Sequence, residues 1–162
     1  CKKFNIKLLK TNFTSIENIT IAGFSGYRGA MSKGLTEISL KQKTKILNYN
    51  KKWETRIKEL SKRLKNYEHV LFIGHDAPYG YFDVVKNKSS PLNNKHIGDK
   101  YFTQFIKSFQ LDAFICGHMH EYQGVKNLGK TKIIETGVAY EGRAVLIEID
   151  NRTGIIRKLL NK

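Results

Sequence analysis

The chain of 162 residues carries 29 Lys+Arg against 14 Asp+Glu, a formal net charge of +15, and is 40% hydrophobic. That apolar share excludes a wholly disordered chain and suffices for one domain with its own core over residues 1–162. No apolar run reaches membrane-spanning length, which excludes a helical membrane span. Two cysteines, Cys1 and Cys116, give no disulfide framework, and no signal sequence is visible, so a reducing, cytoplasmic setting is expected. The basic surplus suits an anionic partner, nucleic acid or a phosphorylated substrate. A lysine- and isoleucine-rich composition accounts for it equally, and no aromatic-plus-Arg stripe of the base-stacking kind is present.

Residues 4–9 alternate loosely through Phe4, Ile6 and Leu8 and predict a short strand, and residues 11–18 read as a polar connection. Residues 19–24 predict the next strand, which ends in Ser25-Gly26-Tyr27-Arg28-Gly29. Gly23, Gly26 and Gly29 resemble a phosphate cradle, but no Gly-Lys-Ser/Thr follows, so turn chemistry is the better reading. Arg28 is a candidate for holding a substrate phosphate, a task suited to a guanidinium fork. Over residues 43–67, Ile46, Tyr49, Trp53, Ile57, Leu60, Leu64 and Tyr67 recur at steps of three or four and predict a helix. Such a stripe is core packing against a sheet. His69 reads as a solvated connector between that helix and the strand at residues 70–73.

Residues 79–98 show no periodicity and carry Asn87, Ser89, Ser90, Pro91, Asn93 and Asn94, the mark of a long loop. Long loops inside compact domains are often functional. This one is expected to shape a substrate pocket, with Tyr79 and His96 as candidate substrate contacts. His96 would serve as proton donor or phosphate contact, although an exposed loop histidine is the plainer reading. Residues 98–109 predict a second helix, with Phe102, Phe105, Ile106 and Phe109 on one side, and residues 113–116 a buried strand. Further strands are predicted at residues 131–136 and 144–149, and a turn at 150–154 leads into a hairpin strand at 155–160.

Two strand endings share one design. Val70-Leu71-Phe72-Ile73 runs into Gly74-His75-Asp76-Ala77-Pro78-Tyr79-Gly80, and Ala113-Phe114-Ile115-Cys116 into Gly117-His118-Met119-His120-Glu121. Imidazole is the commonest protein ligand for transition metals. One histidine after one strand is usually a polar group at a sheet edge. Two strand-Gly-His endings, one doubled to Gly-His-x-His, favour a metal site. With near-extended backbone past Gly117, His118 and His120 would point apart and serve two neighbouring ions. Cys116 is expected to face inward as a small buried hydrophobe.

On these motifs the chain resembles the calcineurin-like metallophosphoesterases, close to the small archaeal and bacterial phosphoesterases, over residues 19–150. The resemblance implies an α/β fold, the four-layer αββα sandwich, of which this chain would supply mainly the C-terminal sheet and helices. It further implies hydrolysis of phosphate mono- or diesters by a water activated between two divalent ions, manganese first, with iron, zinc or nickel as alternatives. By the same match His75 and His118 would bind one ion and His120 the other. The family's Asp-x-His, Gly-Asp and Gly-Asn-His/Cys-Asp/Glu segments have no counterpart here, since the only Gly-Asp, Gly98-Asp99, follows the His75 strand. The resemblance therefore implies a missing N-terminal half, supplied in cis or in trans, without which the chain is expected to be inactive. The family's Asn-Pro-Gly-Ser-like segment is replaced by Glu135-Thr136-Gly137-Val138. An inactive scaffold on the same fold, or a basic nuclease or nucleic-acid-binding protein, are the alternatives.

Overall fold

The computed structural model describes residues 9, 11–24, 40–109, 111–150, 152–153 and 156–161. Its elements are β1 (Thr11–Ile16), β2 (Ile19–Phe24), α1 (Leu40–Leu64), β3 (His69–Ile73), α2 (Lys100–Phe109), β4 (Ala113–Cys116), β5 (Gly124–Leu128), β6 (Thr131–Glu135), β7 (Val145–Ile149) and β8 (Ile156–Asn161). The strand predicted at residues 4–9 and the turn carrying Gly26, Arg28 and Gly29 lie almost wholly outside the described residues.

Six strands form a mixed sheet in the order β1-β2-β3-β4-β6-β5, and β7 and β8 form a second sheet of two. β2, β3, β4 and β6 run parallel, while the outer pairs β1/β2 and β5/β6 are antiparallel. Parallel neighbours need a crossover, and α1 and α2 supply two of them. The buried strands read as continuous apolar runs because both sheet faces are covered.

One face carries the main core. Trp53, Ile57, Leu60 and Leu64 of α1, with Phe102, Phe105 and Ile106 of α2, pack onto Ala22, Phe24, Phe72 and Phe114. The centre is aromatic: the Phe72 ring stacks on Phe114 at 5.5 Å, and Trp53 meets Phe24 at 4.7 Å and Phe102 at 5.0 Å edge-on. Each such ring buried from water contributes about 1.5–3 kcal/mol. The opposite face, built on Ile19, Leu71, Ala113 and Ile134, meets Val145, Ile147 and Ile149 of β7. The layers thus run helices, six-stranded sheet, two-stranded sheet. Ile73 and Leu146 stay exposed beside this second core, at 42% and 51%.

The structure departs from the expectations at four places. Residues 11–18 are not a loop: Thr11–Ile16 is an edge strand whose backbone pairs with β2, with Phe13 packed against the core. Its polar composition hides it, because an edge strand needs only one apolar side chain and a ladder of backbone bonds. β5 likewise goes unpredicted, although Gly129-Lys130 between Leu128 and Thr131 is a hairpin turn signal. His69 is no solvated connector. It opens β3 in register with Ile19, is buried, and brings its Nδ1 to 3.7 Å from Asp112 Oδ1. Helix α1 ends at Leu64, where the Tyr67 N–H closes a tight turn onto the Leu64 carbonyl, so Tyr67 leaves the stripe and is 38% exposed.

Candidate metal centre

β3 and β4 are adjacent parallel strands that stop at the same level. Their ladder runs one step further: the Gly74 N–H donates to the Ile115 carbonyl at 2.9 Å, and the Gly117 N–H to the His75 carbonyl at 3.2 Å. His75 and His118 therefore emerge side by side at the carboxyl ends of parallel strands, where open α/β sheets form their ligand crevices. Gly74 is required there, since a Cβ would stand 2.8 Å from the Phe114 ring and 3.2 Å from that of Phe102. His118 has φ of 74°, a left-handed conformation uncommon outside glycine and often found at functional sites.

His75 Nε2 and His118 Nδ1 lie 3.1 Å apart, with the rings 4.8 Å apart and tilted by 60°. Asp76, buried, completes a group of three whose ligand atoms all fall within 4.8 Å of one another. The spacing fits an ion: two nitrogens each about 2.1 Å from a cation at about 90° sit about 3.0 Å apart. Burial lowers the pKa of His118 against the opposing pull of Asp76, with His75 and His120 lowering it further. A lowered pKa favours the neutral imidazole, the form that ligates.

His120 stands outside that group and is exposed. Its Nδ1 is 3.5 Å from the Tyr140 hydroxyl, and its carbonyl accepts from Arg143 Nη1 at 3.2 Å. The Gly-His-x-His turn thus separates its two histidines. Cys116 is buried as expected, its thiol donating to the Ile134 carbonyl at 3.5 Å, and burial beside Glu135 pushes its pKa well up, away from the thiolate a metal would need.

The loop after His75 is built on one buried carboxylate. Asp83, 1% exposed, accepts from the Gly80 N–H at 3.0 Å and the Gly98 N–H at 3.2 Å through Oδ2, and Oδ1 holds His96 Nδ1 at 2.7 Å. The His96 ring then lies 5.2 Å from that of Tyr79, over which Lys100 Nζ sits at 4.9 Å. Tyr79 and His96 are brought together, and Arg28 falls outside the described residues. The loop is tied to the Gly-His-x-His turn, because the Lys86 N–H donates to Glu121 at 3.2 Å and the Tyr122 hydroxyl to the Val84 carbonyl at 2.9 Å. Sequence reasoning did not single out Asp76, Tyr140 or Arg143, and of these only Asp76, next to His75, carried a local signal.

Residues 2–157 match a protein family described as metallophosphoesterase, calcineurin superfamily. One solved crystal structure is similar at a TM-score of 0.63 and 20% identity, over 98% of this chain and 54% of that one. The crystal structure of the protein TT1561 of Thermus thermophilus is similar at a TM-score of 0.53 and 21% identity, over 95% of this chain and 57% of that one. The chain therefore spans little more than half the length of these neighbours. No curated protein matches it.

Proposed function

Because the chain belongs to the calcineurin superfamily of metallophosphoesterases, we propose that it forms part of a metal-dependent phosphoester hydrolase centre. In this reading His75, Asp76 and His118 hold one divalent ion and His120 takes part in holding a second. The observation that carries it is the 3.1 Å separation of the two ring nitrogens at adjacent strand ends, with Asp76 beside them. A divalent ion there would supply a polarised phosphoryl oxygen and a water ionised near neutral pH. Manganese is the ion to test first, since a mixed imidazole–carboxylate set also accepts iron, zinc or nickel.

The chain's own residues contribute the rest. His118, whose pKa burial lowers, would offer a lone pair in its neutral form. Asp83 takes the hydrogen bond from His96 Nδ1, so in the neutral ring Nε2 carries the lone pair and accepts a proton, and only the imidazolium would donate from Nε2 to a phosphate oxygen. Tyr79 beside it offers a ring face to the organic part of the substrate. Three neutral imidazoles and one carboxylate balance only a fraction of the charge of two divalent ions. Further carboxylates would complete the centre.

The test is metal content and turnover of aryl phosphate mono- and diesters by the complete protein, stripped with chelator and reloaded with manganese. His75→Ala and His118→Ala are each expected to lose the ion these two residues share and to abolish turnover, while leaving the circular dichroism spectrum unchanged. Normal turnover in both variants would refute the assignment.

A further inference from the structure

Arg143 lies against the second half of the motif, and no step described so far uses it. Its Nη1 donates to the carbonyl of His120 at 3.2 Å, which pins the guanidinium to the backbone of a candidate ligand. Nη2 pairs with Glu141 Oε2 at 2.7 Å, and the two side chains are 37% and 41% exposed. The surrounding turn is shaped around the arginine stem. Gly137, at φ of 76°, leaves space that a Cβ would fill to within 3.0 Å of Arg143 Cβ and 3.1 Å of Cδ. The turn is also anchored: the Arg143 N–H donates to the Val138 carbonyl at 3.2 Å, and Gln123 Nε2 donates to the Ala144 carbonyl at 3.0 Å. On the same turn Tyr140 is 78% exposed, with its hydroxyl toward His120.

We propose that Arg143 is a phosphate-contact residue on the His120 side of the centre, and that Glu141 is a resident counter-ion which an incoming phosphate ester displaces. This rests on the phosphoesterase reading above. A half-exposed ion pair is weakly stabilising. A phosphate offers the guanidinium two parallel charge-assisted hydrogen bonds, the geometry for which its planar fork is suited. Glu141 therefore neutralises the arginine while no substrate is present and competes only modestly once one arrives. Tyr140 then borders the organic side of the ester.

The experiment titrates inorganic phosphate calorimetrically into the manganese-loaded complete protein, and measures kcat and KM for an aryl phosphate in parallel. Arg143→Ala should weaken phosphate binding by at least about tenfold and raise KM, with the bound manganese unchanged. Arg143→Lys should recover only part of the loss, because an ammonium cannot make the bidentate contact. Glu141→Gln should tighten phosphate binding about two- to fivefold, a direction that a purely structural role for the pair would not produce. Phosphate affinity unchanged in both Arg143→Ala and Glu141→Gln overturns the proposal, as does a loss in Arg143→Ala that is matched by loss of manganese. A wild-type protein that binds no phosphate overturns it as well. If wild type binds phosphate through Arg143 yet hydrolyses nothing, the phosphate site stands and the hydrolase reading fails. If wild type hydrolyses with a KM indifferent to Arg143, the hydrolase reading stands and this inference fails.

Discussion

Glu135 closes β6 with no solvent exposure, and its two carboxyl oxygens have no hydrogen-bond partner among the described residues. Burial pushes its pKa from 4.5 up to about 8, with the neighbouring Cys116 thiol pulling slightly the other way. The native state therefore keeps a proton that the unfolded chain releases, over the window from pH 4.5 to about 8. Where the native state binds more protons, stability falls as pH rises. The stability associated with protonated Glu135 is intact at the acid end of that window, declines through it by about 1.4 kcal/mol per pH unit, and is gone above its upper end. At neutral pH the cost has reached on the order of 3 kcal/mol, a large share of the total for a domain with about 5–15 kcal/mol to lose. Glu135→Gln keeps the shape and cannot ionise. Urea denaturation of both proteins from acid to mildly alkaline pH should show the wild-type midpoint falling relative to the variant. At neutral pH the variant should be the more stable by a few kcal/mol. Parallel profiles, or a variant that is the less stable at the alkaline end, would refute the argument from burial.

The two halves of the motif should separate by metal analysis. His118→Ala should lose the ion shared with His75, and His120→Ala should lose a different equivalent, so loss of the same single equivalent in both variants would sink the two-ion reading. Gly98→Ala would place a Cβ 2.7 Å from Asp83 Cβ and 2.8 Å from both Asp83 Oδ2 and Tyr79 Cα. It should cost about 1–3 kcal/mol in urea unfolding, and a change within experimental error would show that the loop yields. Phe72→Ala removes a fully buried ring that packs on Phe102, Phe105 and Phe114. The expected loss is about 3–5 kcal/mol, and a loss well below that range would mean the aromatic core collapses around the gap.

The sequence by itself determined whatever a short window can carry. The α1 stripe from Trp53 to Leu64 was legible because a helix writes its buried face every three or four residues. The strands before Gly74 and Gly117 were legible because a strand covered on both faces is an unbroken apolar run. His75 and His118 could be singled out because each stands two residues beyond such a run, just after a glycine. The family followed from the same two endings, and it is the family that the chain matches. Edge strands were not legible: β1 and β5 are held by backbone ladders that leave little mark on composition.

Only the tertiary structure decided which residues meet. It put His75 and His118 43 residues apart in sequence and 3.1 Å apart in space, by pairing β3 with β4. It also turned His69 inward, set Asp83 behind His96, and laid Arg143 on His120 across 23 residues. Such contacts leave no periodic trace, because a hydrogen bond between distant segments depends on where the sheet brings the chain back.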